Sequence, residues 1–171
     1  GCKGMKSIVV HPKNRYYKSE PNKRDGSDHV LFNKNKSMII AYPASSREVQ
    51  YDIPDSVTTI SDWTFSECSK LNRISIPDSV DEIGEGAFCN CKLLDELIIP
   101  DSVERIDDCA FRGCESLERI LIPKSVVELG WGIFDECSDN LVVYCDEETE
   151  IHAYCERNKI KNDRICNMET N

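Results

Sequence analysis

The feature that most restricts the fold of this chain is a motif that returns every 23 residues. "IPDSV" stands at 53–57, 76–80 and 99–103, and "IPKSV" follows at 122–126. Alignment gives the consensus I-P-x-S-V-x-x-I-x-x-x-x-F-x-x-C-x-x-L-x-x-I-x-I-P. This unit is too short for two amphipathic helices, and its apolar positions are spaced unlike a helical stripe. The period therefore predicts a solenoid, with one turn of the chain per unit.

Two columns of the alignment are expected to form the core. They contain Phe65, Phe88, Phe111, Phe134, Cys68, Cys91, Cys114 and Cys137. One turn cannot bury its own large side chains, so equivalent residues of successive turns must stack and cover each other. Equivalent residues on successive turns lie about 4.8 Å apart, and their side chains run parallel instead of converging as a disulfide requires. The cysteine column is therefore predicted to hold free thiols.

The end of each unit has the character of a strand. The run L-x-x-I-x-I alternates inward and outward residues, and the proline that follows ends it because proline cannot donate to a ladder. We expect these runs to pair in parallel from turn to turn. The motif serines are predicted to satisfy backbone groups at the corner, and they are Ser56, Ser79, Ser102 and Ser125.

These motifs closely resemble the BspA-like, or treponemal, type of leucine-rich repeat over about residues 53–144. The resemblance implies a leucine-rich-repeat solenoid of the α/β class. It is β-dominated, with parallel stacked strands, short helical turns and a C-terminal capping helix. Cys2, Met5 and Ile8 have the spacing of a repeat end, so the chain is interpreted as beginning inside a repeat.

Three segments follow from this resemblance. Residues 1–52 hold a truncated first repeat and an irregular unit, 53–144 the regular repeats, and 145–171 the capping helix and tail. In the irregular unit, Asp28-His29 stands where the family usually has glycine, which puts its tight turn in doubt.

The capping helix is expected to present one apolar face. Ile151, Tyr154 and Cys155 lie three and four residues apart, and Glu147 and Glu148 are expected in its acidic first turn.

Charge excludes one class of partner. The net charge is −10, and phosphates would be repelled, so no nucleic acid is expected. Residues 1–37 carry nine Lys/Arg and three Asp/Glu, whereas 38–171 carry twelve and twenty-eight. No window of 18 apolar residues is present, so no membrane insertion within this chain is expected.

The resemblance implies a function in recognition without catalysis and without a cofactor. Family members are mostly secreted or surface-attached proteins of bacteria and some protists, with adhesion or protein binding as their role. The partner implied is an unknown protein, such as a host extracellular or cell-surface protein. A passive spacer that displays another domain is the alternative, and a thiol or metal enzyme built on the cap is a remote one.

The candidate binding residues are the outward positions of the L-x-x-I-x-I strands, on the concave face. One column reads Arg73, Glu96, Arg119 and Val142, and the next Ser75, Ile98, Leu121 and Tyr144. The binding candidates are Arg73, Glu96, Ile98, Arg119, Leu121 and Tyr144. The charged column also suits a solvated cross-strand ladder, and the apolar stripe could merely stiffen the sheet.

The remaining cysteines leave several alternatives open. Cys89 and Cys109 come from adjacent turns, and a disulfide between them is one alternative. Cys145, His152, Cys155 and Cys166 lack the tight cysteine pair of most zinc sites. Cys155 with His152 is a weak candidate for a nucleophile and its base.

Overall fold

The computed structural model describes residues 4–21 and 29–165. It is a β-solenoid of about five turns with one short helix, α1 (Glu150–Asn158), near its C-terminal end. The strands in chain order are β1 (Tyr17–Pro21), β2 (His29–Asn33), β3 (Met38–Ala41), β4 (Gln50–Asp52), β5 (Thr59–Ile60), β6 (Arg73–Ser75), β7 (Glu82–Ile83), β8 (Glu96–Ile98), β9 (Arg105–Ile106), β10 (Arg119–Leu121), β11 (Glu128–Leu129), β12 (Val142–Tyr144) and β13 (Lys161–Asp163).

Each regular repeat contributes two strands and one turn to three sides of the solenoid. The first strands, β5, β7, β9 and β11, pair in parallel and extend a sheet that begins with β1, β2 and β3. The second strands, β6, β8, β10 and β12, are the predicted L-x-x-I-x-I strands. On the third side the turns bond to each other, as when Phe88 N–H donates to Ala110 O at 2.8 Å.

The four repeat phenylalanines stack in one continuous file, which confirms the prediction. Ring centroids of Phe65, Phe88, Phe111 and Phe134 are separated by 5.3, 5.6 and 5.8 Å in succession. Adjacent rings lie within 16° of parallel. Tyr154 of α1 meets the last ring edge-on at 6.3 Å, so the helix closes the file.

The column cysteines are free thiols packed beside this file, as expected. Each of the last three donates to the carbonyl of the phenylalanine in the preceding repeat. These bonds are Cys91 Sγ–Phe65 O at 3.2 Å, Cys114 Sγ–Phe88 O at 3.2 Å and Cys137 Sγ–Phe111 O at 3.1 Å. Burial raises the pKa of Cys68 and Cys137 to about 12, so these thiols are protonated at neutral pH. Cys2 lies outside the described residues.

The motif serines bond the backbone of the preceding turn at three of four corners. Their hydroxyls donate from Ser56 to Lys36 O, from Ser79 to Val57 O and from Ser102 to Val80 O, at 3.1, 2.7 and 2.6 Å. The buried Ser125 hydroxyl finds no hydrogen-bond partner among the described residues. The prediction is therefore confirmed at the first three positions and wrong at the fourth.

The N-terminal unit replaces a regular turn with antiparallel strands. β1 pairs with β2 and β2 with β3 in antiparallel fashion, after which β3 pairs in parallel with β5. The irregular unit thus converts into the parallel sheet at β3. The turn that carries Asp28 lies outside the described residues.

The capping helix buries the face that was predicted for it, but it begins later. Ile151, Tyr154 and Cys155 are its buried residues. Thr149 is the N-cap and accepts a hydrogen bond from His152 N–H at 3.2 Å. Glu147 and Glu148 precede the helix, so their placement in its first turn is wrong, and Glu150 is the acidic residue there.

The chain then adds β13 parallel to β12, a strand that the sequence reasoning missed.

Candidate functional site

The sheet of second strands is interrupted between β6 and β8. The pairs β4–β6, β8–β10, β10–β12 and β12–β13 are hydrogen-bonded, whereas β6 and β8 belong to separate sheets. The prediction of parallel pairing is therefore confirmed on both sides of this interruption but is wrong across it.

Missing backbone bonds define both ends of the interruption. At the end of the strands, the N–H groups of Ile53, Ile99 and Ile122 each donate to the neighbouring turn at 3.0 Å, but no such bond leaves the equivalent Ile76. At the start of the strands, Asn72 N–H donates to Val49 O at 2.8 Å and Glu118 N–H to Asp95 O at 3.0 Å. The equivalent bond from Asp95 N–H is likewise absent from the described residues.

A surface groove of about 540 Å³ lies along this interruption. We call it the β6–β8 groove. Its lining includes Arg73 and Ser75 from β6 and Glu96 and Ile98 from β8. The structure thus brings three of the six predicted binding residues, Arg73, Glu96 and Ile98, to one concavity, while Arg119 and Leu121 stand on the next strand.

The predicted charge ladder forms on one side of the groove only. Arg119 Nη2 contacts Glu96 Oε2 at 2.5 Å, across the intact β8–β10 pair. Arg73 has no ion-pair partner among the described residues, and Glu96 pairs with Arg119 instead. The expected continuous ladder from Arg73 to Arg119 is therefore wrong in its first half, and the Arg73 guanidinium is exposed at the rim of the groove.

The predicted apolar stripe is shorter than expected. Ile98 is 55% exposed and Leu121 is partly buried, but Tyr144 is only 5% exposed. The unforeseen strand β13 explains the difference, since Asp163 pairs with Tyr144 and places the chain beside it. The prediction of Tyr144 as an exposed binding residue is therefore wrong.

Neither Cys145 nor Cys155, the two cap cysteines within the described residues, is activated as a nucleophile. Burial raises the pKa of Cys145 to about 11 and that of Cys155 to about 12, so both are protonated thiols at neutral pH and poor nucleophiles. No group of three or more His, Cys, Asp or Glu among the described residues is arranged to hold a metal ion. Cys166 of the weak metal candidate lies outside those residues.

The alternative of a disulfide between Cys89 and Cys109 is not realised, since both are free thiols. Burial raises the pKa of each, and nearby Arg112 opposes that rise.

Stacked 23-residue turns, each carrying an L-x-x-I-x-I strand, define the class: this chain is a leucine-rich-repeat solenoid. More narrowly, it belongs to the BspA type leucine-rich repeat region family, whose model matches residues 44–161 in six copies. Leucine-rich repeats are in general protein-interaction modules. No protein with a curated description matches the chain.

Three solved structures are similar to this chain. The pneumococcal vaccine antigen PcpA is 26% identical over 82% of this chain and 33% of its own, with a TM-score of 0.73. A leucine-rich repeat protein from Eubacterium ventriosum is 30% identical over 83% and 36%, with a TM-score of 0.67. A leucine rich cell surface protein from Faecalibacterium prausnitzii is 26% identical over 80% and 41%, with a TM-score of 0.55.

The chain therefore matches between 33% and 41% of the length of these three proteins. The family and these neighbours are non-enzymatic repeat proteins. Within residues 4–21 and 29–165, no helix has the length and hydropathy that crossing a bilayer requires.

Proposed function

We propose that this chain is the protein-recognition part of a secreted or cell-surface adhesive protein, and that it binds through the outward face of its second strands. The partner is an extracellular or surface-exposed protein of a host. The description of the Faecalibacterium prausnitzii neighbour as a cell surface protein supports this location. The description of the pneumococcal neighbour as a vaccine antigen does so as well.

The observation that carries the proposal is the β6–β8 groove. A solenoid presents extended surfaces, and a concavity with convergent polar and apolar groups is the default place for a ligand. Here Arg73, Glu96 and Ile98 converge on about 540 Å³ of open volume. Arg119 and Leu121 continue the same face on β10.

The core beneath this face favours tight binding because it anchors both strands: their inward residues, Ile74 and Leu97, are buried in the same apolar cluster as Phe65 and Phe88. The turns that carry Phe65 and Phe88 are joined to each other by ring stacking and by backbone hydrogen bonds, which do not depend on the missing ladder. A binding face that is ordered before the partner arrives loses less entropy on association.

The test is binding of the intact chain to a panel of immobilised, purified extracellular-matrix proteins and mucins. For any panel member that binds, Ile98→Ser is expected to weaken binding about thirtyfold or more, the range of an interface hot spot. Val127→Ser is the matched control, because Val127 is another exposed aliphatic residue, 62% exposed, beside the first-strand sheet.

Two results would overturn the proposal. Equal loss of binding in Ile98→Ser and Val127→Ser would remove the second-strand face as the site. Failure of every panel member to bind would favour the alternative of a passive spacer. Circular dichroism of both variants checks that neither change unfolds the solenoid.

A further inference from the structure

We propose that the N-terminal unit binds sulfated polysaccharide through a surface that is separate from the second strands. Three exposed cations, Lys13, Arg15 and Lys34, and the exposed ring of Tyr16 form this surface, which we call the basic–aromatic surface. The inference goes beyond the proposed function, because it assigns another class of ligand to other elements of the fold. Its one link to that function is the extracellular location, where sulfated polysaccharides occur.

The loop that leads into β1 is held in one conformation by its own hydrogen bonds. Asn14 Oδ1 accepts from the N–H groups of Tyr16 and Tyr17 at 2.9 and 3.0 Å. Lys13 and Arg15 stand on either side of Asn14, and both are exposed. The loop therefore has its binding conformation before any ligand arrives, which lowers the entropy cost of association.

The β2–β3 turn brings a third cation to this loop. Lys34 Nζ donates to Asn14 O at 2.7 Å, which is the carbonyl between Lys13 and Arg15. Three positive charges from two segments of the chain thus share one exposed area. None of the three has an ion-pair partner among residues 4–21 and 29–165.

The single carboxylate on the neighbouring strands is already neutralised. Residues 4–21 and 29–37 hold six Lys/Arg and one acidic residue, Glu20. Glu20 binds Lys18 at 2.9 Å and also binds Lys36. The three cations of the basic–aromatic surface therefore remain uncompensated, which favours an anionic ligand.

Distance and salt weaken the opposing field of the acidic repeats. Residues 38–171 carry twelve Lys/Arg and twenty-eight Asp/Glu, but β2 and β3 separate β1 from β5, the first strand of the regular repeats. Three strand spacings of about 4.8 Å make roughly 14 Å. This distance exceeds the screening length of about 8 Å at physiological salt. A polymer that crosses only the N-terminal unit is thus attracted more than it is repelled.

The side chains of the surface fit a sulfated sugar polymer. Arg15 and the two lysines donate charge-assisted hydrogen bonds of the kind that bind oxyanions. Tyr16 is 74% exposed, and its amphipathic ring offers an apolar face to the C–H side of a sugar ring. Short segments rich in Lys and Arg are typical of heparin-binding patches. A sulfated polysaccharide supplies both the oxyanions and the rings along one chain.

The test is titration calorimetry of the intact chain with a short heparin oligosaccharide of defined length at physiological salt. The triple variant Lys13→Ala, Arg15→Ala, Lys34→Ala is expected to bind about tenfold more weakly or worse, because each exposed ion pair changes affinity by up to roughly fivefold. The same oligosaccharide without its sulfates is expected to show a similar loss. Heparin that does not bind the unaltered chain would overturn the inference.

A matched control separates this surface from general charge. The triple variant Lys70→Ala, Lys124→Ala, Arg157→Ala removes the same residue types from exposed positions in the regular repeats and the cap. It is expected to change the affinity for heparin by less than about twofold. An equal loss in both triple variants would overturn the inference. Thermal unfolding of both variants checks that neither substitution set disturbs the fold.

The aromatic part of the surface has its own test. Tyr16→Ala is expected to weaken heparin binding about threefold or more, whereas Tyr16→Phe keeps the ring and is expected to bind like the unaltered chain. Polyglutamate and single-stranded DNA of equal charge are expected to bind at least about tenfold more weakly than heparin. Equal binding of either polymer would show that the surface selects charge alone, and would overturn the assignment to a polysaccharide.

One substitution keeps this inference distinct from the proposed function. Ile98→Ser is expected to leave heparin binding unchanged, because Ile98 lies on β8 and not on the N-terminal strands. Loss of heparin binding in Ile98→Ser would place the polysaccharide on the second-strand face and overturn the inference. Heparin binding that persists when no panel protein binds would support the basic–aromatic surface and count against the proposed function alone.

Discussion

Replacing Phe88 with alanine is expected to lower the free energy of unfolding by about 3–5 kcal/mol. Phe88 is fully buried and stacks on Phe65 and Phe111, so its removal opens a cavity and ends two ring contacts. A stacked aromatic pair contributes about 0.5–1.5 kcal/mol beyond its buried area. Chemical denaturation followed by circular dichroism measures the change.

Phe88→Leu and Val127→Ala are the controls for this substitution. Leucine keeps much of the apolar volume and should lose markedly less than alanine. The exposed Val127 should change stability by no more than about 0.5 kcal/mol. A Phe88→Ala protein as stable as Val127→Ala would show that the phenylalanine file does not form.

Replacing Gly130 with alanine is expected to lower the free energy of unfolding by about 1–3 kcal/mol or more, the range for a forced steric overlap. A Cβ atom at this position would lie 2.2 Å from Asp108 N and 2.4 Å from Asp107 C. Both are backbone atoms of the preceding turn, so the two turns must separate. The shift would also strain the bond that Trp131 N–H donates to Asp108 Oδ1 at 2.9 Å.

The matched control is Gly4→Ala, because nothing lies within 4 Å of the Cβ that it would add. Adding Asp108→Ala to Gly130→Ala should not restore stability, since the overlap is with backbone and not with the carboxylate alone. Recovery in the double variant would place the conflict in the Asp108 side chain. Thermal and urea unfolding of the variants report these differences.

The core was predictable because it is a property of the repeat itself. Apolar residues that recur every 23 positions must lie over one another if each turn is to be covered, and Phe88 stacks between Phe65 and Phe111 as a consequence. The same logic placed the cysteine thiols beside the file. The buried face of α1 was predictable for a different reason, since Ile151, Tyr154 and Cys155 are spaced as residues on one side of a helix.

A column of left-handed backbone was missed although its signal was present. Trp63, Gly86, Cys109 and Gly132 are equivalent positions, and their φ angles are 58°, 56°, 55° and 62°. Glycine at two of the four positions reveals the requirement. A similar signal links Asp108 to Gly130 and Asp62 to Gly84, because each aspartate lies against the glycine of the next turn.

The candidate site was only partly predictable. The alternation of the strands identified Arg73, Glu96 and Ile98 as outward residues, but the repeats on either side of the groove have the same length and the same core columns. Nothing in that pattern marks the parting of β6 from β8. The burial of Tyr144 depends on β13, which pairs with β12 after an intervening helix and carries no repeat motif.

Amide hydrogen exchange of the free chain tests most directly whether the backbone hydrogen bonds between β6 and β8 are missing, on which the candidate site depends. The N–H groups of Ile53, Ile76, Ile99 and Ile122 hold equivalent positions, and three of them are bonded to the next turn. Exchange at Ile76 is expected to be at least about tenfold faster than at the other three. Equal protection of all four amides would show that the sheet is continuous and that no groove exists between its strands.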